Sequence, residues 1–370
     1  MVRGGSDNTN KGTNIIYEGD DYFLTFNNRV YTTTFKNFRL TGSGTNKGIL
    51  FSKKNKDGIF FKSLFYGLWI ANFKNCMTCN YAVYSYIEKC TFITSSIEDS
   101  EAIVYNGYEY NYFKDTSIAN GNAELVNSTG IKINGGQVIY FSGMDIVDFK
   151  KGILFDSSIN TINNVYIENT SLCRNFYGLY FNVSKYSIED ISISNTFYWG
   201  SCKDINERFI YTTRPTGATA IAIIKLENIF VRSMGSNVTP DYLIENDNTS
   251  STIIGEISNR FGKLKNSKLI NQSIYSKKYL VDRNQVNNGS VRCVGDGRTK
   301  VFDIQIPGFY TCPPCIVSNI SIPKPYGQTP VFTKDTNSLI LRITFAENID
   351  DALAFRVFWH IPNEQYNVLS

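Results

Sequence analysis

One six-residue pattern constrains this chain more than any other feature, because it returns nine times. It reads apolar, two mostly polar residues, then usually apolar, any, apolar. It begins at Phe35, Phe61, Ile87, Phe113, Phe141, Ile167, Ile188 and Leu226, with a fainter copy at Ile254. Successive starts lie 26, 26, 26, 28, 26, 21, 38 and 28 residues apart. A period in the twenties marks stacked units, none of which can bury its apolar face alone. Alternation inside each unit has period two, which is strand. Strands returning at a fixed interval predict parallel sheets wound into a solenoid. The 38-residue step predicts an inserted loop over residues 197–219.

A second column keeps the same beat: GILFS at Gly48, CMTCN at Cys76, AIVYN at Ala102, GIKIN at Gly130, GILFD at Gly152 and GLYFN at Gly178. Its last letters stack as Ser52, Asn80, Asn106, Asn134, Asp156 and Asn182. Amides stacked in this way predict a ladder of side-chain hydrogen bonds from turn to turn. Cys76 and Cys79 are then strand residues of one unit. The CPPC pair at Cys312 and Cys315 is remote from them, and the chain has a single His, so no shared metal site is expected.

A third column holds Phe60, Tyr86, Tyr112, Tyr140 and Tyr166. Outward, its rings could meet sugars; inward, they would form a core stack. Asp57, Glu109, Gln137 and Asn163 have the opposite parity and also want water. Aromatic stripes at a structural period are more often core, so the interior placement is the expectation.

Composition narrows the function. Lys plus Arg is 37 and Asp plus Glu is 33, a formal net charge of +4, which argues against a nucleic-acid-wrapping protein. No apolar run is long enough for a membrane-spanning helix, so no membrane insertion is expected. The opening residues lack the apolar core of a signal peptide, which predicts synthesis in the cytoplasm or a trimmed fragment.

The beat fails after about residue 261. Residues 262–290 read as a basic, polar connector. Residues 291–370 read as alternating strands separated by Gly, Pro and Asp turns, which predicts a small antiparallel β-sandwich. The expected organisation is a lead-in over 1–21, a coil over 22–261, the connector, and the sandwich. His360, in the last strand, is expected to be structural.

These two parts together resemble the tailspikes of bacteriophages that act as capsule or O-antigen depolymerases. The coil resembles the right-handed parallel β-helix of the pectate-lyase-like superfamily. The stretches GDGRTKVFDIQIPGF, LILRITF and FRVFWHIP resemble the small sandwich that closes many tailspikes. The resemblance implies a homotrimer on the virion tail, made in the host cytoplasm and acting at the bacterial surface. It implies a capsular or O-antigen polysaccharide bound along an outer face or between subunits. It implies a sandwich that serves trimerisation or carbohydrate binding. The virion-anchoring head usual in that family is not visible, so the expectation is either an isolated fragment or an anchor on a separate protein, with a virion tail baseplate or anchor protein as partner.

Glycosidic cleavage uses two carboxyls about 5–5.5 Å apart for retention or about 6.5–9.5 Å for inversion. Neighbouring strands lie about 4.8 Å apart, so a coil meets either spacing readily. Asp145 and Asp148 are the leading pair. Asp145 stands between Met144 and Ile146, so it should face outward. Its counterparts on other turns are expected to be Arg39, Phe65, Thr91, Ser117, Ser171 and Ser192, none acidic. The resemblance adds an acid one turn away, here Glu109 or Asp115. Arg174, Lys150 and Lys151 could hold an acidic sugar chain. Trp199 could stack on a pyranose, as could Tyr112, Tyr140 and Tyr166 if they face outward. Should the pair lie elsewhere, Glu168 with Glu189 or Asp190 follows, then Asp204 and Glu207 in the inserted loop. Endo-acting hydrolysis without a cofactor is the expected activity. A polysaccharide lyase and a non-catalytic adhesin are the alternatives.

Overall fold

A computed structural model describes residues 14–26, 28–45, 47–51, 60–107, 109–121, 127–215, 219–233, 238–246, 252–261, 268–272, 280–282, 288–305, 316–321, 331–334 and 340–360. Ser52, Asp57, Cys312, Cys315 and most of the connector lie outside these residues. The described elements are all strands and turns. The chain forms two compact units, Met1–Leu280 and Val281–Ser370.

The first unit is a parallel β-helix. Each turn, or rung, contributes one strand to each of three walls. The first wall includes Leu64–Tyr66, Tyr86–Glu88, Glu109–Lys114, Gly136–Ser142, Ile162–Glu168 and Ile188–Ser194. A tight corner leads to the second wall, which includes Trp69–Phe73, Thr91–Thr94, Ser117–Asn120, Asp145–Val147, Ser171–Cys173 and Phe197–Gly200. The third wall is a ten-stranded parallel sheet that includes Asn75–Cys79, Glu101–Tyr105, Thr129–Ile133, Lys151–Asp156, Tyr177–Asn182 and Arg208–Thr213.

The corner explains the recurring pattern. Asn37, Gly67, Lys89, Asp115, Gly143, Asn169, Asn195 and Asn228 occupy it on successive rungs, with φ between 47° and 66°. Asn, Asp and Gly tolerate this left-handed conformation best. The next residue often locks the bend: the hydroxyls of Thr116, Thr170 and Thr196 donate to the carbonyls of Lys114, Glu168 and Ser194, two residues back. The Cys90 thiol makes the same contact with Glu88 O.

The structure corrects the register in three places, one of them the faint copy at Ile254, which pairs with Lys225 and leaves Gly255 opposite Leu226. Phe35, Phe65, Ile87, Phe113, Phe141, Ile167, Ile193 and Leu226 are the true equivalents. Phe61 belongs instead to a short parallel sheet with Val30–Tyr31 and Ala82–Val83, and Ile188 starts its first-wall strand. Several residues of each strand point inward, and alternation alone does not say which one precedes the corner. The left-handed residue decides it. The large insertion also shrinks: Phe197–Gly200 and Arg208–Thr213 are wall strands, so the described connecting residues are 201–207, 214–215 and 219–221.

Inside the coil, side chains stack in columns. Ile49, Met77, Ile103, Ile131, Ile153, Leu179, Ile210 and Ile244 form one on the third wall, each fully buried. Burying each contributes about 1.5–3 kcal/mol. Phe113 stacks on Phe141 at 4.8 Å and Phe155 on Phe181 at 4.5 Å. Cys76, Cys79 and Cys90 are buried in this interior, and burial pushes the Cys90 thiol up to about 12. Such thiols behave as small apolar side chains.

The expected amide ladder is present. Asn134 Nδ2 donates to Asn106 Oδ1 at 2.7 Å, and Asn106 Nδ2 donates to Asn80 Oδ1. Asn182 Nδ2 donates to Asp156 Oδ1 at 3.1 Å.

The second unit holds two antiparallel three-stranded sheets. Asn288–Val294, Ala354–His360 and Ile316–Ser321 form one; Val301–Gln305, Ile340–Thr344 and Val331–Lys334 form the other. Phe302 of one sheet meets Phe355 of the other edge-on at 4.9 Å, so the sheets face each other across an aromatic core. The Asp296 carboxylate closes the connecting turn by accepting from the N–H groups of Arg298 and Thr299.

Candidate functional site

Asp145 lies on the outer face of the second wall and is exposed. Its column on successive rungs is Arg39, Trp69, Thr91, Ser117, Asp145, Ser171, Phe197 and Phe230. Trp69 and Phe197 replace the expected Phe65 and Ser192, a consequence of the register correction. Asp145 remains the single acid of the column.

Asp148 follows at the corner between the second and third walls, in a left-handed conformation with φ 66°. Arg174 occupies the matching place one rung on, with φ 52°. Its Nε and Nη2 donate to the two Asp148 oxygens at 2.7 and 2.6 Å. These hydrogen bonds hold the Arg174 guanidinium above its ordinary pKa. Half-buried Cys173 stands beside them. Burial pushes its thiol up, Arg174 pulls it down, and the charges of Asp145 and Asp148 push it up again.

Aromatic surface lies next along this wall. Phe197 is 42% exposed and stacks on Phe230 at 4.9 Å. Trp199 follows Cys173 in the neighbouring outward column, and the Arg232 guanidinium sits 4.1 Å from the Trp199 ring centre. Phe197 is two rungs, about 10 Å, from Asp145. The sequence reading missed Phe197, Phe230 and Arg232, because it assigned Phe197 to a loop. Their alternation with Tyr198 and Val231, both buried, was the available signal.

Around the corner, Lys150 Nζ lies 3.0 Å from the Phe176 ring centre. Burial lowers its pKa, against the pull of Asp204. Thus Asp145, Asp148, Arg174, Trp199 and Lys150 share one edge of the coil.

The remaining candidates lie elsewhere. Asp115 is exposed at the corner between the first and second walls, one rung before Asp145. A Cβ added at Gly143 of the next rung would stand 2.5 Å from Asp115 Oδ1, so this carboxylate leans toward the Asp145 rung. Glu109 does not join the group. It starts the strand Glu109–Lys114, at the end of the first wall opposite that corner, and it accepts a hydrogen bond from Gln137 Nε2. Glu207 turns inward instead of toward Trp199. It is 1% exposed and accepts from the hydroxyls of Tyr198 and Ser201 at 3.0 and 2.7 Å. Burial pushes its carboxyl up.

The tyrosine column is a correction to the interior placement. Tyr86, Tyr112, Tyr140 and Tyr166 form an outer ladder on the first wall, at 4.7, 4.9 and 4.8 Å with nearly parallel rings. Tyr86 is 40% exposed. The inward positions belong to Ile87, Phe113, Phe141 and Ile167, and the bend implied by the opposite parity of Glu109 is the left-handed Tyr110, Val138 and Asn164. Stacking covers the ring faces, so between its ends the ladder offers a ligand ring edges and hydroxyls.

No family model matches the sequence, and no curated protein matches it. Among solved structures, the chain is similar to the tailspike protein gp49 from Pseudomonas phage LKA1. That match has 8% identity and a TM-score of 0.37, and covers 89% of this chain and 66% of that one, just under two thirds of its length. It is also similar to a mutant tailspike of E. coli bacteriophage HK620 in complex with a pentasaccharide. There the identity is 9% and the TM-score 0.38, with 95% of this chain and 85% of the other covered. A hexasaccharide complex of an HK620 tailspike mutant matches at 10% identity and TM-score 0.35, over 89% of this chain and 75% of that chain.

Proposed function

We propose that this chain is a phage tailspike depolymerase that binds a bacterial surface polysaccharide and cleaves it by endo-acting hydrolysis. One observation carries the reading. An exposed strip of the second wall holds a lone outward acid, Asp145, beside the Asp148–Arg174 pair, with Phe197 and Trp199 two rungs further on. Carboxyls next to exposed aromatic rings are what glycosidic cleavage and sugar stacking require.

In this reading Asp145 and Asp148 are the two cleaving carboxyls. Asp148, with both oxygens set by Arg174, acts as the base or nucleophile, and Asp115 borders the site from the preceding rung. Phe197 and Trp199 carry the sugar rings away from the cleavage point. The sequence resemblance supplies the polysaccharide class, the trimer and the virion tail as parts of the same proposal.

The test is reducing-end release from purified capsular and O-antigen polysaccharides. Asp145→Asn and Asp148→Asn should each cut release by orders of magnitude while polysaccharide binding persists. Unsaturated, ultraviolet-absorbing products would indicate a lyase. Binding without any product would indicate an adhesin. Full activity in both variants would place the acid pair elsewhere.

A further inference from the structure

A groove of about 250 Å³ lies where the third wall turns into the first, away from the Asp145 strip. Three glycines shape it. Gly107 has φ +54°, and a Cβ there would stand 1.9 Å from Gly135 O. Gly135 and Gly136, one rung on, have φ of 153° and 120°. Corners that elsewhere carry side chains are bare backbone here.

The side chains that line the groove are polar: Glu109, Gln137, Asn160, Thr161 and Asn163. Gln137 Nε2 donates to Glu109, which orients both groups. Thr161 N–H donates to Asn160 Oδ1 at 2.9 Å, which fixes that amide. Asn163 Oδ1 is buried and has no hydrogen-bond partner among the described residues. Rotation about the last side-chain bond, a broad torsion for Asn, can turn it toward the groove.

This lining selects a ligand class. Among the described residues, no cation lines the groove to pair with a phosphate or carboxylate, and no aromatic or aliphatic side chain lines it to hold an apolar ligand. Amides, a hydroxyl and a hydrogen-bonded carboxylate match neutral hydroxyls, which both donate and accept. The volume is just below the roughly 300 Å³ at which drug-sized pockets begin, so it suits one ring.

We propose that this groove is a subsite for a single neutral pyranose, with Gln137, Asn160 and Asn163 reading its hydroxyls. Glu109 is then a binding residue and not one of the cleaving acids. The inference rests on the carbohydrate reading for its ligand class, and not on cleavage at Asp145.

The test is saturation-transfer NMR on the full chain with free glucose, galactose, mannose and N-acetylglucosamine. Transfer to at least one of them is expected. Asn163→Leu and Gln137→Leu should each weaken it about fivefold, the effect of losing one hydrogen bond of about 1 kcal/mol. Asn160→Ala, which leaves the first-wall strands untouched, should do the same, with melting temperature as the folding control. Lys36→Ala, exposed and outside both the groove and the Asp145 strip, should leave the signal unchanged. No transfer to any of the four sugars, or undiminished transfer in the groove variants, would overturn the proposal. So would a signal lost only on Trp199→Ala, which would place the sugar on the second wall. If the polysaccharide is not cleaved but transfer persists, the cleavage reading alone fails.

Discussion

Arg174 grips Asp148 of the preceding rung with two hydrogen bonds, 2.7 and 2.6 Å, and both residues sit in left-handed corners. The side chains are 42% and 14% exposed, so solvent screens the pair and its net contribution to stability is at most about 1 kcal/mol. Arg174→Lys keeps the charge and loses the two-pronged geometry. If the pair positions Asp148 for cleavage, reducing-end release should fall at least about tenfold, with little change in melting temperature. A fall in stability alone would make the pair purely structural.

The tyrosine ladder makes a positional prediction. Tyr140 stacks on both Tyr112 and Tyr166, whereas Tyr166 has Tyr140 as its stacked tyrosine partner. Each stacked pair contributes about 0.5–1.5 kcal/mol beyond burial. Tyr140→Ala should therefore destabilise roughly twice as much as Tyr166→Ala in denaturant unfolding. Glycan affinity should change less in Tyr140→Ala, because both faces of that ring are covered.

The amide ladder contains a reversible fault. Among the described residues Asn134 Oδ1 is buried without a partner, and the next position up is Asp156, whose carboxylate accepts from Asn182 Nδ2 and Ser158 N–H but has no N–H to offer. Asp156→Asn supplies the missing donor and keeps an acceptor for Asn182. The variant should gain about 0.5–1.5 kcal/mol, the net worth of one hydrogen bond, read as a higher unfolding midpoint. An unchanged or lower midpoint would show that the Asp156 carboxylate has another structural role.

Glu207 predicts a pH dependence. Burial raises its folded pKa above the ordinary 4.5, and its hydrogen bonds only partly offset this. Between those two values the folded chain binds more protons than the unfolded one, so stability falls as pH rises. Glu207→Gln should remove that part of the slope. Melting temperature measured from pH 4 to 7 should decline more steeply in the parent than in the variant. Parallel curves would show that Glu207 titrates alike in both states.

The sequence by itself determined the coil. A column such as Ile103, Ile131 and Ile153 is visible because each rung must present an apolar residue at the same place to bury it. The ladder through Asn106 and Asn134 was legible for the same reason: stacked amides must recur at the rung interval. Tertiary structure decided what lies between these columns. Ile188, Ile191 and Ile193 are all buried, so alternation could not show which of them precedes the corner; the left-handed Asn195 does. The same ambiguity hid the outward face of the tyrosines and placed Phe197 in a loop. The candidate site was half legible. Asp145 stood out as an acid in a column without others, but its pairing with Arg174 by way of Asp148 depends on which corners stack. Glu109 fell away because six strand residues carry it to the far end of the first wall. Periodicity fixes what every rung shares, whereas a site is built from the positions where rungs differ, and only stacking in three dimensions sets those side by side.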